Sequence, residues 1–118
     1  LTKRVVINKD AVLDGLVIST TDLTSGSDEC VVVKAGATAI FRGCTFERPG
    51  DSTSSMAVIE DGAKATMVGC VFRGGGTTAS VMVAHPAGLA TDVQIAFCYN
   101  RTVNTLGNAA DVTMTGNH

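Results

Sequence analysis

Five of the eleven acidic residues in this 118-residue sequence are candidates for acid–base chemistry. They are Asp14, Glu47, Glu60, Asp61 and Asp92. Paired carboxylates cleave glycosidic bonds, one as general acid and the other as base or nucleophile. Their spacing indicates another role, because four of them fall opposite basic residues in the repeat described below and Asp61 precedes a turn glycine. We therefore assign no catalytic residue and expect a protein that is not an enzyme.

Cysteines offer a second kind of chemistry. The sequence contains Cys30, Cys44, Cys70 and Cys98. A zinc site would need paired ligands such as a CxxC motif, which is missing, and neither His85 nor His118 recurs with the cysteines. A disulfide framework is disfavoured because the Cβ vectors of stacked strands run parallel. We predict that Cys44, Cys70 and Cys98 are free, buried thiols and that there is no metal site. Cys30 is left unassigned.

Two short motifs have plainer explanations than binding chemistry. GGGTT at residues 74–78 lacks the lysine and the helix of a phosphate-binding P-loop, so we expect a flexible turn. Asn100, Arg101 and Thr102 form an N-glycosylation sequon. Asn100 falls in a column predicted to face inward, which favours a buried, hydrogen-bonded side chain. We predict no cofactor site.

Composition excludes several classes of function. The formal net charge is −2, so the sequence has no excess of basic residues for binding nucleic acid and no polybasic segment for binding a membrane surface. No apolar run approaches the length of a membrane span, and no signal peptide is visible. Thirteen glycines, two prolines and no Trp favour strands and turns over helices. The length fits one domain, 1–118, and Leu1 in first place suggests a processed chain or a segment of a longer one.

An internal repeat organises the chain. The segments VKAGATAIFRGC (33–44), IEDGAKATMVGC (59–70) and LGNAADVTMTGN (106–117) align without a gap. The equivalent anchor positions are Gly15, Gly43, Gly69, Phe97 and Gly116, spaced 28, 26, 28 and 19 residues apart. The column two residues before the anchors contains Leu13, Phe41, Met67, Ile95 and Met114. The column four residues before the anchors contains Ala11, Ala39, Ala65, Val93 and Val112. The column one residue after the anchors contains Leu16, Cys44, Cys70, Cys98 and Asn117. The column three residues after the anchors contains Ile18, Phe46, Phe72 and Asn100. We expect all four columns to face inward.

A repeat of this length, with short alternating strands and no helix, predicts a solenoid in which each repeat forms one turn. Equivalent side chains then stack about 4.8 Å apart as ladders. On these columns the chain resembles the right-handed parallel β-helix family (pectate-lyase-like), whose interiors are filled by stacked aliphatic, aromatic, Cys and Asn side chains. The resemblance implies an all-β, single-stranded right-handed parallel β-helix of about four to five turns.

Outward columns support the same register. Opposite charges face each other at Asp14 and Arg42, Glu47 and Arg73, Lys34 and Glu60, and Lys64 and Asp92, whereas Asp92 faces Asp111. Apolar residues also recur outward, at Val12 and Ile40, at Val32 and Val58, and at Val17, Val71 and Tyr99. Such columns exceed scattered surface apolar residues and predict lateral association. The repeat stops in mid-turn at residues 116–118, so we expect further polypeptide or a partner to cover that end.

A short β-helix that associates sideways, with moderate loops around 19–29, 49–56 and 73–80, resembles modules of bacteriophage tail spikes, tail fibres and head decoration proteins. In those modules three β-helices commonly pack in parallel. The resemblance implies a structural module of a virion, acting as a homotrimer with other virion structural proteins, without nucleic acid or membrane insertion. Two alternatives stay open: a fragment of a polysaccharide-degrading lyase or hydrolase tail spike, and a bacterial surface or extracellular adhesin that binds a host-surface glycan.

Overall fold

A computed structural model of the chain describes residues 4–19, 29–48, 55–74, 81–86, 89–102 and 104–118. Within these ranges the chain forms thirteen β-strands, one short 3₁₀ helix and no α-helix. The predicted loops around 19–29, 49–56 and 73–80 lie largely outside the described residues, as does all of the GGGTT motif except Gly74.

The strands form three parallel sheets, and the chain visits each sheet once per turn of a coil. Sheet 1 contains β1 (Val5–Ile7), β4 (Val31–Val33), β7 (Ala57–Ile59) and β10 (Val83–Ala84). Sheet 2 contains β2 (Ala11–Asp14), β5 (Thr38–Arg42), β8 (Lys64–Val68), β11 (Val93–Ala96) and β13 (Thr113–Thr115). Sheet 3 contains β3 (Val17–Ser19), β6 (Thr45–Arg48), β9 (Val71–Gly74) and β12 (Tyr99–Arg101). This order confirms an all-β, parallel β-helix of about four turns.

The strand register is the one that the repeat predicts. Neighbouring turns pair Phe41 with Met67, Phe46 with Phe72, and Ile95 with Met114. The last of these pairs confirms the predicted alignment of the final repeat, where the spacing shortens to 19 residues. A bridge between Val83 and Gly107 opens that fifth, partial turn. Residues at equal positions in the repeat therefore lie above one another.

Inward ladders build the core. The rings of Phe46 and Phe72 stack with centroids 5.0 Å apart and an angle of 16° between planes. Phe41 packs edge-on against Phe46 at 5.5 Å, and all three rings are fully buried. Burial of each such ring contributes roughly 1.5–3 kcal/mol. Two residues predicted to face inward are exposed, Leu16 at 38% and Met114 at 36%, because each lies in an outermost turn of the coil, which is stacked on one side alone.

A tight bend joins sheet 2 to sheet 3 in the first four turns and recurs after β13; we call the stacked bend residues 15, 43, 69, 97 and 116 the corner. The φ angles of its glycines, Gly15, Gly43, Gly69 and Gly116, are +67°, +59°, +63° and +62°. Glycine adopts this left-handed region without the steric cost of a Cβ atom. Phe97 occupies the fourth position with φ of +55°, the one non-glycine residue with positive φ among those described. The bend therefore explains the recurring glycine.

Asparagine side chains satisfy backbone groups at the last turns. Asn117 follows the cysteine column, and its Oδ1 accepts a hydrogen bond from the Cys98 N–H at 2.8 Å. Asn100 is half-buried; its Nδ2 donates to the Asn104 carbonyl at 2.7 Å and its Oδ1 accepts from Thr102 Oγ1 at 2.6 Å. The predicted hydrogen bonding of Asn100 is confirmed, whereas its side chain is half-buried rather than buried. The sequon nitrogen is engaged within the chain.

Candidate interaction surface

Three of the acidic side chains lie in exposed ion pairs between neighbouring turns. The pairs are Asp14 with Arg42 at 2.8 Å, Glu47 with Arg73 at 2.7 Å, and Glu60 with Lys34 at 3.0 Å. Water screens such surface pairs, so each contributes about 0–1 kcal/mol. These three predicted pairs are confirmed, and their carboxylates are directed at cations rather than at one another.

Glu60 is held in its ionised form. Its Oε2 accepts a hydrogen bond from Lys34 Nζ at 3.0 Å, and its Oε1 accepts one from the Ala35 N–H at 3.1 Å. The Lys34 hydrogen bond, followed by that of Ala35, lowers the pKa of Glu60 from its ordinary 4.5. A general acid that works near neutral pH needs a raised pKa. Glu60 is therefore unsuited to that role.

Asp92 departs from the predicted pairing. We expected it opposite Lys64, but its Oδ2 lies 3.5 Å from Nε2 of His85. The cause is local, because the 3₁₀ helix Ala90–Asp92 stands where the neighbouring turns of the coil reach sheet 2 through tight turns at Gly36 and Gly62. Asp61 lies in a turn beside Gly62, whose φ is +86°, as expected. Among the described residues, no three His, Cys, Asp or Glu side chains gather closely enough to hold a metal ion.

His85 is a buried polar residue whose place the sequence pattern did not predict for us. His85 follows β10 into the interior and is 1% exposed. Its Nδ1 lies 2.7 Å from the carbonyl oxygen of Ile59, 26 residues earlier. The signal was present, because segment 82–85 aligns with segment 56–59 at the same spacing. His85 therefore continues an inward column and takes a structural role.

The cysteines form part of the packed interior. Cys30, Cys44, Cys70 and Cys98 are all free and buried. The prediction for the last three is confirmed, and each of these thiols donates to the carbonyl two residues earlier at 3.4–3.7 Å. Hydrogen bonding with Cys98 and burial raise the pKa of the Cys70 thiol. A protonated, buried thiol is a poor nucleophile and a poor metal ligand, so Cys70 serves packing.

Outward apolar residues lie in register on all three sheets. The columns are Val6, Val32 and Val58 on sheet 1, Val12 and Ile40 on sheet 2, and Val17, Thr45, Val71 and Tyr99 on sheet 3. Val12 is 57% exposed, Val6 49% and Tyr99 48%. Val32 is covered more than we expected, at 9%. We call these three sets the outward columns.

Two of the outward columns line shallow grooves. Outside sheet 1, a groove of about 210 Å³ runs along the valines between the ion pairs Arg4–Glu29 and Lys34–Glu60. Outside sheet 2, a depression of about 330 Å³ is lined by Val12, Ile40 and their neighbours. Apolar strips rimmed by charges are a surface suited to a protein partner.

Comparison with known proteins identifies no similar protein. No protein-family model, curated protein or solved structure matches this chain. The part of the chain that the structure describes contains no helix both long and apolar enough to cross a membrane. The architecture therefore rests on the strand pairing, and function is argued from the surface of the coil.

Proposed function

We propose that this chain is a non-enzymatic structural module of a virion, a homotrimer of parallel β-helices packed side by side in a fibre, a spike shaft or a shell decoration. The observation that carries the proposal is the set of outward columns. Val6, Val12 and Val17, one on each sheet of the first turn, are each about half exposed, at 49%, 57% and 47%. Apolar residues in register along a rigid sheet mark an association surface rather than scatter.

The size of the coil supports side-by-side packing. The molecule measures 31 by 27 by 27 Å, so its largest side offers at most roughly 840 Å², the product of the two longer extents. A stable interface takes about 800 Å² from each partner. Association along a whole side of the coil would therefore suffice, whereas contact through one groove would not.

The interior supports a mechanical role. The inward ladders form one buried core through successive turns, and each turn is hydrogen-bonded to the next in parallel register. In a solenoid, stability comes largely from these contacts between neighbouring repeats. Such a coil is stiff along its axis, which suits a fibre, a shaft or a shell decoration, the modules that this architecture resembles.

Light scattering after size-exclusion chromatography tests the proposal. We expect a particle of about 36 kDa, three times the chain mass of 12.1 kDa. If the chain is still monomeric at a protein concentration of about 1 mM, its association is weaker than roughly 4 kcal/mol. That result would contradict the proposal.

The polysaccharide-degrading alternative has its own assay. It predicts release of reducing ends from capsule or lipopolysaccharide glycans, and loss of that release in the double variant Glu60→Gln, Asp61→Asn. We expect no release above that of buffer, because the Glu60 carboxylate is engaged by Lys34 and Ala35.

A further inference from the structure

The buried ring of His85 is held between two oxygen atoms. The residue is 1% exposed, and its Nδ1 lies 2.7 Å from the carbonyl oxygen of Ile59. A carbonyl oxygen accepts hydrogen bonds and cannot donate one, so Nδ1 carries a hydrogen atom and donates it. This contact fixes the tautomer of the neutral ring, with the hydrogen atom on Nδ1 and a lone pair on Nε2.

The other ring nitrogen faces a carboxylate. Nε2 of His85 lies 3.5 Å from Oδ2 of Asp92. An ionised carboxylate has no hydrogen atom to donate, so the neutral ring directs a lone pair at a negatively charged oxygen. A ring protonated on both nitrogens donates to both oxygens and carries the charge opposite to that of Asp92. The contact is therefore attractive in one protonation state of the ring and repulsive in the other.

Asp92 belongs to a segment that supports the last two turns of the coil. It ends the 3₁₀ helix Ala90–Asp92 and directly precedes β11, which pairs with β13. The Ala90 carbonyl accepts a hydrogen bond from Thr113 Oγ1 at 2.8 Å, so the helix also holds β13. A 3₁₀ helix of three residues has few hydrogen bonds of its own. Its position therefore depends on side-chain contacts such as that of Asp92.

Few other charges act on this pair. Among the described residues, Asp92 is the only acidic side chain within 4 Å of the His85 ring. In the column of Asp92, Lys64 stands one turn earlier and Asp111 one turn later. Their charges are opposite in sign, so they act on the ring in opposite directions. Glu60, after the end of β7, is held in its own ion pair. Asp92 therefore has the strongest influence on the protonation of His85.

We propose that His85 and Asp92 form a pH-sensitive clasp on the fourth turn. When the ring is protonated on both nitrogens, it binds the Ile59 carbonyl and the Asp92 carboxylate together and fixes the 3₁₀ helix against the core. When Nε2 loses its proton, the bond to Asp92 is lost, and the helix is held less firmly, together with Thr113. The Asp92 side chain is 21% exposed, so protons reach the pair from solvent. All of these contacts lie within one chain, so the clasp does not rest on the proposed homotrimer.

The sign of the pH dependence follows from the geometry. The clasp stabilises the fold while the ring carries both protons and is lost as the pH rises through the titration of His85. It is lost again at low pH, where the Asp92 carboxylate is protonated.

Nitrogen chemical shifts of the imidazole rings in ¹⁵N-labelled protein test the clasp directly. Above the titration of His85 we expect the Nδ1–H tautomer. As the pH falls, Nε2 should gain a proton while the chain stays folded, and the amide signals of Asp92 and Val93 should shift with the same midpoint. His118 is the internal reference, because it is exposed and, in the part of the chain that the structure describes, no acidic side chain lies within 4 Å of its ring.

Asp92→Asn removes the negative charge and keeps the size of the side chain. Urea midpoints of wild type and variant are compared one pH unit either side of the measured His85 titration, at one protein concentration. On the acidic side, wild type should resist about 0.5 M more urea than the variant. On the alkaline side, the variant should be equally or more resistant, because the Asn amide donates to the bare Nε2. The matched control is Asp111→Asn, one turn later in the same column, whose effect should not change across the titration.

Each outcome decides for or against the clasp. An Nε2–H tautomer of the neutral ring overturns it, as does a ring whose protonation stays constant while the chain is folded. An Asp92→Asn effect of equal size on both sides of the titration also overturns it. An effect that changes at the His85 midpoint, with no such change in Asp111→Asn, supports it.

Discussion

Replacing Phe72 with alanine measures what the buried ladder contributes. Phe72 is fully buried, and its ring stacks on Phe46 of the neighbouring turn at 5.0 Å. Truncating a buried phenylalanine costs about 3–5 kcal/mol, as lost transfer free energy plus the cavity left behind. We expect a value near the middle, about 4 kcal/mol, because strands on both sides hold the site open. That is a large part of the roughly 5–15 kcal/mol that stabilises a natural domain.

Urea unfolding followed by circular dichroism measures the loss. With a slope of about 2 kcal/mol per molar, the midpoint should fall by roughly 2 M. Leu89→Ala is the control, since Leu89 is 69% exposed, and its effect should stay within about 0.5 kcal/mol. Comparisons are made at one protein concentration, because association raises apparent stability.

A double-mutant cycle then isolates the stacked pair. Phe46→Leu, Phe72→Leu and the double variant should give a coupling of about 0.5–1.5 kcal/mol, the range of aromatic pairs. A loss below about 1 kcal/mol for Phe72→Ala, together with no coupling to Phe46, would refute the stacking argument.

Three further changes test other parts of the coil. Cys70→Asp places an uncompensated charge in the interior and should cost roughly 3–5 kcal/mol in urea unfolding; tolerance of the aspartate would mean that Cys70 is not inside. Gly43→Ala should cost about 1–2 kcal/mol from the backbone alone, because φ is +59° and no atom lies within 4 Å of the new Cβ. Gly43→Asn should cost less, and equal costs in thermal unfolding would contradict a left-handed bend. The lowered pKa of Glu60 means that its stabilising effect is complete above about pH 4.5 and is lost as the pH falls through its folded-state pKa. Glu60→Gln should therefore lower the urea midpoint at pH 7 and leave it unchanged at pH 2; a wild-type advantage that persists at pH 2 would refute the Lys34 pairing.

Periodicity made the interior predictable from the sequence. Parallel stacking places like side chains above one another, so a ladder such as Phe46 on Phe72 is readable as a fixed spacing. The ion pairs at Arg42 and Arg73 followed from the same register. His85 was not predicted as a core residue because its side chain is polar, whereas Ile59 at the same position of the preceding turn is apolar. Its hydrogen bond to the Ile59 carbonyl makes it a satisfied core residue.

The surface was less predictable than the interior. Asp92 turns toward His85 because a 3₁₀ helix replaces the tight turn that precedes sheet 2 in the neighbouring repeats, and the sequence repeat does not predict that helix. Phe97 aligned with the anchor glycines, but its exposed ring and left-handed φ become visible only when the corner is built. Contacts with other chains leave no repeat in the sequence, so the outward columns predict association without predicting which face takes part.

Nuclear magnetic resonance couplings across hydrogen bonds test the stacked coil most directly. Such couplings join an amide nitrogen to the carbonyl carbon that accepts its hydrogen bond, and so identify both partners. We predict couplings from the Thr45 amide to the Leu16 carbonyl, from Val71 to Cys44, and from Tyr99 to Cys70, whose N–O distances are 2.8, 2.9 and 2.8 Å. Couplings that instead connect these amides to antiparallel partners or to residues of the same turn would contradict the parallel β-helix.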